Sequence, residues 1–208
     1  MAKTPWAGAA LDEQVSLVLG RAWHGFAVRP GVPVQRRASG GSAVLRGPWM
    51  LRAGVRLPPH HALLHGGPVA AARWLGGVHL RWLASRGIGQ ARLHEGPTID
   101  HWSCFAGRGP GEVLVDGRKI VGIAQAWRRH AVWLVSATLL APPPWPLLCE
   151  LMGYAPIEAA ALDARAADAR QCLGCAPDAQ EWAASLRTAL RTALVETLAG
   201  PGPVDLTA

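Results

Sequence analysis

Two features of this chain could do chemistry by residue type and spacing alone. The first is Lys119. Of 21 basic side chains only Lys3 and Lys119 are lysine, and all the others are arginine. Where charge alone is wanted this sequence uses arginine, so a lysine at 119 points to a task a guanidinium cannot do. A compact ammonium fits a small polar pocket and serves two oxygens at once, whereas guanidinium is a planar fork made for bidentate contacts. The plain alternative is a surface lysine after Gly117-Arg118, at a strand start with one end in solvent. The second feature is Arg36-Arg37-Ala38-Ser39-Gly40-Gly41-Ser42. Glycines between two strands let backbone approach a ligand, and successive N–H groups form an anion-binding nest to which arginine adds charge. Solvated arginines beside a glycine hairpin are the alternative there.

The elements that must position these residues are legible in outline. Val15 to Leu19 reads as a strand, as does Val32 to Val34 running into Arg36-Arg37. Ala43–Leu45 and Met50–Leu57 read as a hairpin-like pair across Gly47-Pro48. Pro68 to Ser85 repeats apolar residues at three- and four-residue steps, with proline in the first turn and Gly87 past the end, which predicts a helix. Gln90–His94, Glu112–Val115, Lys119–Ala126 and Ala131–Leu140 read as short strands, with a tight turn at Asp116-Gly117. Ala141 to Pro146 is too proline-rich to continue helix or sheet. Beyond it, helices are expected over Pro156–Arg170 and Asp178–Leu198, the latter burying Ala183, Leu186, Leu190 and Leu194. The fold class is therefore α+β: a mixed, largely antiparallel sheet flanked by helices, spanning residues 1–140, with a Pro-rich connector and helical segment over 141–208 packed on the same domain.

Composition limits the function classes. Half of the 208 residues are apolar, enough for one sizeable core, and no uncharged apolar run reaches the ~18 residues of a membrane span. Four cysteines are too few for a disulfide framework, and Met1 to Ala10 lacks a signal-peptide pattern, so a cytoplasmic, membrane-free setting is expected. The net charge of +7 is spread along the chain without a nucleic-acid-binding motif, which favours acidic protein partners over specific nucleic-acid binding. Cys172-Leu-Gly-Cys175 is a lone CxxC with no histidine after His130, and His60, His61 and His65 lie in a Pro/Gly-rich loop, so no metal site is expected.

Downstream of the arginine-glycine loop come Ser103-Cys104-Phe105 and then Glu112 to Gln125, which contains Gly117-Arg118-Lys119-Ile120-Val121-Gly122-Ile123-Ala124-Gln125. Together these blocks resemble the catalytic domain shared by lipoate-protein ligases, octanoyltransferases and biotin-protein ligases, over about Val15 to Leu140. The Cys104-Phe105 pair resembles the monomeric octanoyltransferase branch. The resemblance implies a ligand loop of Arg36, Arg37, Ser39, Gly40, Gly41 and Ser42, and a lysine, Lys119, contacting the acyl carbonyl. It implies further ligand contacts from Gly122, Ala124, Gln125, Ser136 and Thr138. It also implies that Cys104 carries the acyl group as a thioester, which divides acyl transfer into two easier steps. The alternative for Cys104 is a buried cysteine beside Phe105 and Trp102; His101 is a candidate base or a solvated histidine. The implied activity is transfer of an octanoyl or lipoyl group from acyl carrier protein, without a cofactor, to a lysine of an acidic lipoyl-domain protein. An ATP- and Mg-dependent ligase using free lipoate or octanoate is the alternative. Three departures stand out: Arg46 where the family has histidine, Ser136-Ala137-Thr138 where it has histidine-glycine-serine/threonine, and a short N-terminus lacking the usual first helix. They favour a second alternative, an inactive acyl-binding or regulatory paralogue.

Overall fold

The computed structural model describes residues 5–21, 23, 29 and 31–199, the last two without their side chains. Lys3 and residues 200–208 of the tail lie outside the described residues. The described residues form nine strands: β1 (Trp6–Leu11), β2 (Ser16–Leu19), β3 (Val34–Arg36), β4 (Val44–Arg46), β5 (Met50–Leu57), β6 (Arg92–Leu93), β7 (Val113–Val115), β8 (Arg118–Arg128) and β9 (Ala131–Leu139). Five α-helices accompany them: α1 (Gly67–Ser85), α2 (Trp145–Met152), α3 (Glu158–Asp163), α4 (Ala169–Leu173) and α5 (Ala179–Ala199). A six-stranded antiparallel sheet runs β1-β5-β9-β8-β7-β6, and a three-stranded sheet runs β3-β2-β4 with one parallel pair. The fold is thus α+β, with a large antiparallel sheet flanked by helices.

Strand period decides what each face of the large sheet does. On β5, Leu51, Ala53, Val55 and Leu57 join a core with Leu75, Val78 and Leu83 of α1 and Leu186, Leu190 and Leu194 of α5. The even-numbered positions of β5 face the other way. A second core, containing Leu17, Leu19, Leu45, Met50, Phe105 and Leu148, fills the space between the small sheet and α2. The turn at Asp116-Gly117 has φ of 49° and 74° in sequence, as a two-residue hairpin with both central residues left-handed requires.

Four expectations need correction. β4 and β5 do not form a hairpin across Gly47-Pro48: β4 pairs with β2, and β5 lies between β1 and β9. Apart from Met50, which packs with Val44 and Leu45, the buried residues of β5 belong to the other core, so the chain changes sheets at this bend. Strand β1 lies where a missing helix was inferred; its sequence, Trp-Ala-Gly-Ala-Ala-Leu, has no β-branched residue to announce a strand, yet all six residues pair with β5. The connector is not structureless, because α2 begins at Trp145 with Pro146 in its first turn, where the missing N–H costs nothing. Finally, the helix expected over Pro156–Arg170 is two short helices, and the bend between them has a task described below.

Candidate functional site

A cavity of about 780 Å³ lies against the face of the large sheet that turns away from α1. Its floor is made of small residues in register. Gly122 of β8 pairs with Ala137 of β9, and Ala124 with Val135, while Gly54 of β5 lies beside Gly8 of β1. Bulk at these positions would fill the space. Trp6 and Trp133, edge to face with centroids 6.3 Å apart, stand on this face at one end of the cavity. Val18, Val44 and the Arg37–Ser39 loop supply the opposite wall, and Cys104 and Phe105 close the β8 side.

Cys104 is held by its own backbone: its N–H donates to the Ala43 carbonyl (2.9 Å), and its carbonyl accepts from Lys119 Nζ (2.6 Å). Cys104 is partly exposed and lies on the cavity wall. Lys119 is not the half-solvated strand-start residue expected from its place after the turn. It is 2 % exposed, the largest fully buried side chain among the described residues. Its ammonium is also paired with Glu112 Oε2 at 2.6 Å. The Glu112 carboxylate accepts from the Gly109 N–H through Oε2 (2.6 Å) and from the Ile123 N–H through Oε1 (3.0 Å). A buried ion pair is tolerated only when its remaining donors and acceptors are satisfied. Here the carboxylate is met on both oxygens, and the ammonium uses two of its three donors.

Two other elements hold this arrangement in place. Gly111, at φ +82°, packs its carbonyl against Gly76 of α1, where an added Cβ would lie 1.9 Å from that oxygen. This close approach seats Glu112 beneath β8. The backbone of Lys119 lies beyond the end of β9's pairing, and the bend between α3 and α4 takes over: Lys119 N–H donates to Arg165 C=O (2.9 Å), and Ala167 N–H donates to Lys119 C=O (3.0 Å).

The other expected residues divide into two groups. Arg37, Ser39, Cys104, Gly122 and Ala124 line the cavity. Arg37 also grips its own loop, through Nε to Gly40 C=O and Nη2 to Ser42 C=O, both 3.0 Å. Gly40, Gly41 and Ser42 shape that loop rather than the cavity surface, with the Ser42 hydroxyl donating to the His101 carbonyl and Gly41 at φ +99°. Arg36 points away, to the Trp23 carbonyl. The side chains of Gln125, Ser136 and Thr138 are on the wrong face. Gln125 donates to Pro68 C=O (2.7 Å) at the start of α1, Ser136 Oγ pairs with His79 Nε2 (2.8 Å), and Thr138 lies buried between Leu51 and Val121, both core residues. Ser136 is among the residues lining the cavity, although its hydroxyl is engaged by His79. Burial lowers the His79 pKa to about 3, so this ring is neutral.

His101 does not line the cavity. Its Nδ1 accepts from the Ser103 N–H (3.1 Å), and burial, with the charge of Arg165, lowers its pKa. His61 caps the short 3-10 turn at Ala62–Leu64, and Cys172 and Cys175 are free thiols. Among the described residues no three His, Cys, Asp or Glu side chains gather as metal ligands, and no helix is long and apolar enough to cross a membrane.

Glu112 and a set of arginines escaped sequence reasoning. Arg46, in the position of the family histidine, and Arg52 both bind Asp12, which follows β1, at 2.7 and 2.6 Å. Burial pushes the Asp12 pKa up, but hydrogen bonds and charge from both arginines outweigh it and leave the net value below the usual carboxylate range. This clasp joins β4 of the small sheet to β5 of the large one. Arg187 and Arg191, a helical turn apart on α5, reach the same cavity. Their i, i+4 spacing was visible, but nothing in the sequence placed α5 beside the site.

No protein-family model and no curated protein matches this sequence. Solved structures do match its fold. A bi-partite lipoate protein ligase from Thermoplasma acidophilum superimposes with a TM-score of 0.64 at 20% identity, covering 95% of this chain and 72% of that one. A lipoate-protein ligase A with ATP bound gives 0.64 at 18% identity, with coverages of 95% and 74%. Plasmodium falciparum LipL1 in complex with lipoate gives 0.62 at 15% identity, with coverages of 98% and 52%. With the sheet order, the cavity and these superpositions in hand, the chain has the fold of the lipoate-protein ligases.

Proposed function

We propose that this protein attaches an octanoyl or lipoyl group to a lysine of a lipoyl-domain protein, by way of a thioester on Cys104. The observation that carries this reading is the placement of a partly exposed cysteine on the wall of a largely apolar cavity, with the buried Lys119 ammonium on that residue's own carbonyl. The Cys104 thiol, giving up its proton, adds to the thioester carbonyl of an acyl carrier protein. The new C–S bond forms, the bond to the carrier's sulfur breaks, and the departing thiolate takes a proton. The amine of the target lysine then displaces Cys104, forming the amide and restoring the thiol. Lys119 is not among the lining residues; it lies behind Cys104 and fixes the peptide that bears the nucleophile, and its third N–H is the donor we assign to the acyl oxygen. Of the neighbours, one was solved in a study of an archaeal lipoylation system and its E2 lipoyl domain, and another holds lipoate, which supports an acyl group of this size and a lipoyl-domain partner. The formal charge of +7 suits an acidic partner, and four free cysteines suit the cytoplasm.

Incubation with octanoyl carrier protein should place a hydroxylamine-sensitive mass increase on Cys104, absent in Cys104→Ser. No adduct on folded wild-type protein would overturn the thioester. A second reading, an ATP- and Mg-dependent ligase, is favoured by one observation: five arginines are among the residues lining the cavity, two of them sharing Asp12. Pyrophosphate release from ATP and free lipoate, undiminished by Cys104→Ser, would establish it instead.

A further inference from the structure

Five arginines line this cavity, and three of them have a stated occupation: Arg37 holds its loop, while Arg46 and Arg52 share Asp12. Arg187 and Arg191 are different. Both are exposed on α5, Arg187 makes one bond of 3.3 Å to the Ala9 carbonyl of β1, and among the described residues neither is in an ion pair. The Arg52 side chain, two strands in from Cys104's side at the row of Ala137 and Ala10, keeps 40 % of its surface open even with Asp12 bound. A single Asp12 cannot balance this set, so the β1 edge of an otherwise apolar cavity carries uncompensated positive charge. Guanidinium groups in that setting match phosphate oxygens with bidentate, charge-assisted hydrogen bonds.

We propose that Arg187 and Arg191 of α5, with Arg52, form an anion subsite that binds a phosphate carried by the acyl donor. The site rests on the reading of the cavity as an acyl-donor site. Its position fits that role. Cys104 sits by β8, and β8 is separated from β1 by three strand spacings, roughly 14 Å. That is the reach of about four residues of extended chain, and a pantetheine arm, with its two amide units, is of this order. The acyl chain lies on the glycine-alanine floor, the thioester at Cys104, and the phosphate at α5. The phosphate has two sources: the 4′-phosphate of a pantetheine thioester, or the phosphates of a nucleotide. The helix lies outside the stretch, about Val15 to Leu140, whose motifs resemble the ligases, so that resemblance assigns no role to Arg187 or Arg191.

Calorimetric titration tests the subsite without any need for turnover. Wild-type protein should bind 4′-phosphopantetheine about tenfold more tightly than pantetheine, which lacks only the phosphate. The double variant Arg187→Ala/Arg191→Ala should bind the two equally. A charge-matched control, Arg73→Ala/Arg170→Ala on the exposed surfaces of α1 and α4, should keep the wild-type preference. If MgATP binds through Arg187 and Arg191 and phosphopantetheine does not, the subsite stands and its phosphate is the nucleotide's. Failure of wild type to bind any of the phosphate-bearing ligands, or equal loss in the control variant, would overturn it. The outcome is separable from the thioester: a missing Cys104 adduct removes the transferase reading and leaves these affinities unchanged.

Discussion

Replacing Glu112 with glutamine keeps its shape and removes the charge that faces Lys119. The ammonium is then buried without a counter-ion, and breaking such a pair from one side costs about 3–5 kcal/mol. Thermal unfolding of Glu112→Gln and Lys119→Met should each show a large loss. The double variant, neutral on both sides, should be more stable than either, and simple additivity would show that the two residues are not coupled. Lys119→Arg is a harsher change than its place after a turn suggests. No end of the side chain reaches solvent, so the larger fork should lower stability as well as activity, the latter by ~10²–10³ if the third N–H serves the oxyanion. His79 gives a pH signature. Its folded pKa of about 3 lies below the unfolded value of 6.5, so the unfolded chain binds the extra proton between these limits. Stability should therefore fall by up to about 1.4 kcal/mol per pH unit below 6.5. Denaturant titrations at pH 6.5 and 4.5 check this, and His79→Leu should lose that part of the slope. At this scale sequence showed that Lys119 was unusual, and composition alone was enough. It could not show Glu112 as the partner, because seven residues, a turn and a bulge separate them, and only the fold closes that distance.

The strands of the site were legible wherever the period of two was clean. Gly122 and Ala124 line the cavity, and the same alternation, carried through consistently, puts Gln125 on the opposite face. Ser136 and Thr138 were assigned by likeness of position rather than by phase. Register with β8 and β5 places both toward α1, where the Ser136 hydroxyl is engaged by His79. Elements built of alanine and glycine were the hidden ones. β1 shows no propensity signal, yet it forms one margin of the cavity, and its lack of bulk is what leaves room there. Between elements, the ligand loop is set by contact rather than by propensity. Gly20, at the end of β2, lies so near Gly41 that an added Cβ would meet that carbonyl oxygen at 1.6 Å. Gly20→Ala should therefore push the Arg37–Ser42 loop off the cavity. We expect a stability loss of about 1–3 kcal/mol, with weaker binding of octanoyl or lipoyl ligands measured on the folded variant. Unchanged affinity would mean that the loop does not shape the ligand space.

Across the whole molecule, the tail is part of both the core and the site. Leu186, Leu190 and Leu194 of α5 are buried with Val55 and Val78, while Arg165 and Ala167 complete the backbone pairing of Lys119. The reading of residues 141–208 as a connector followed by helices named the right segments for a stripe of leucines. It could not reveal that a bend of alanines, Arg165 to Ala167, replaces a missing neighbour strand. That replacement has a consequence in time. A ribosome adding roughly 5–20 residues per second makes Lys119 several seconds after the first strands and Ala167 a few seconds after Lys119. During that interval β8 can pair along most of its length, but Lys119 has no partner for its own peptide N–H and C=O. The order of synthesis thus leaves the Lys119 peptide open until residue 167 has been added, and a nascent chain halted at Leu140 holds Cys104, Glu112 and Lys119 without the bend that pairs the last of them.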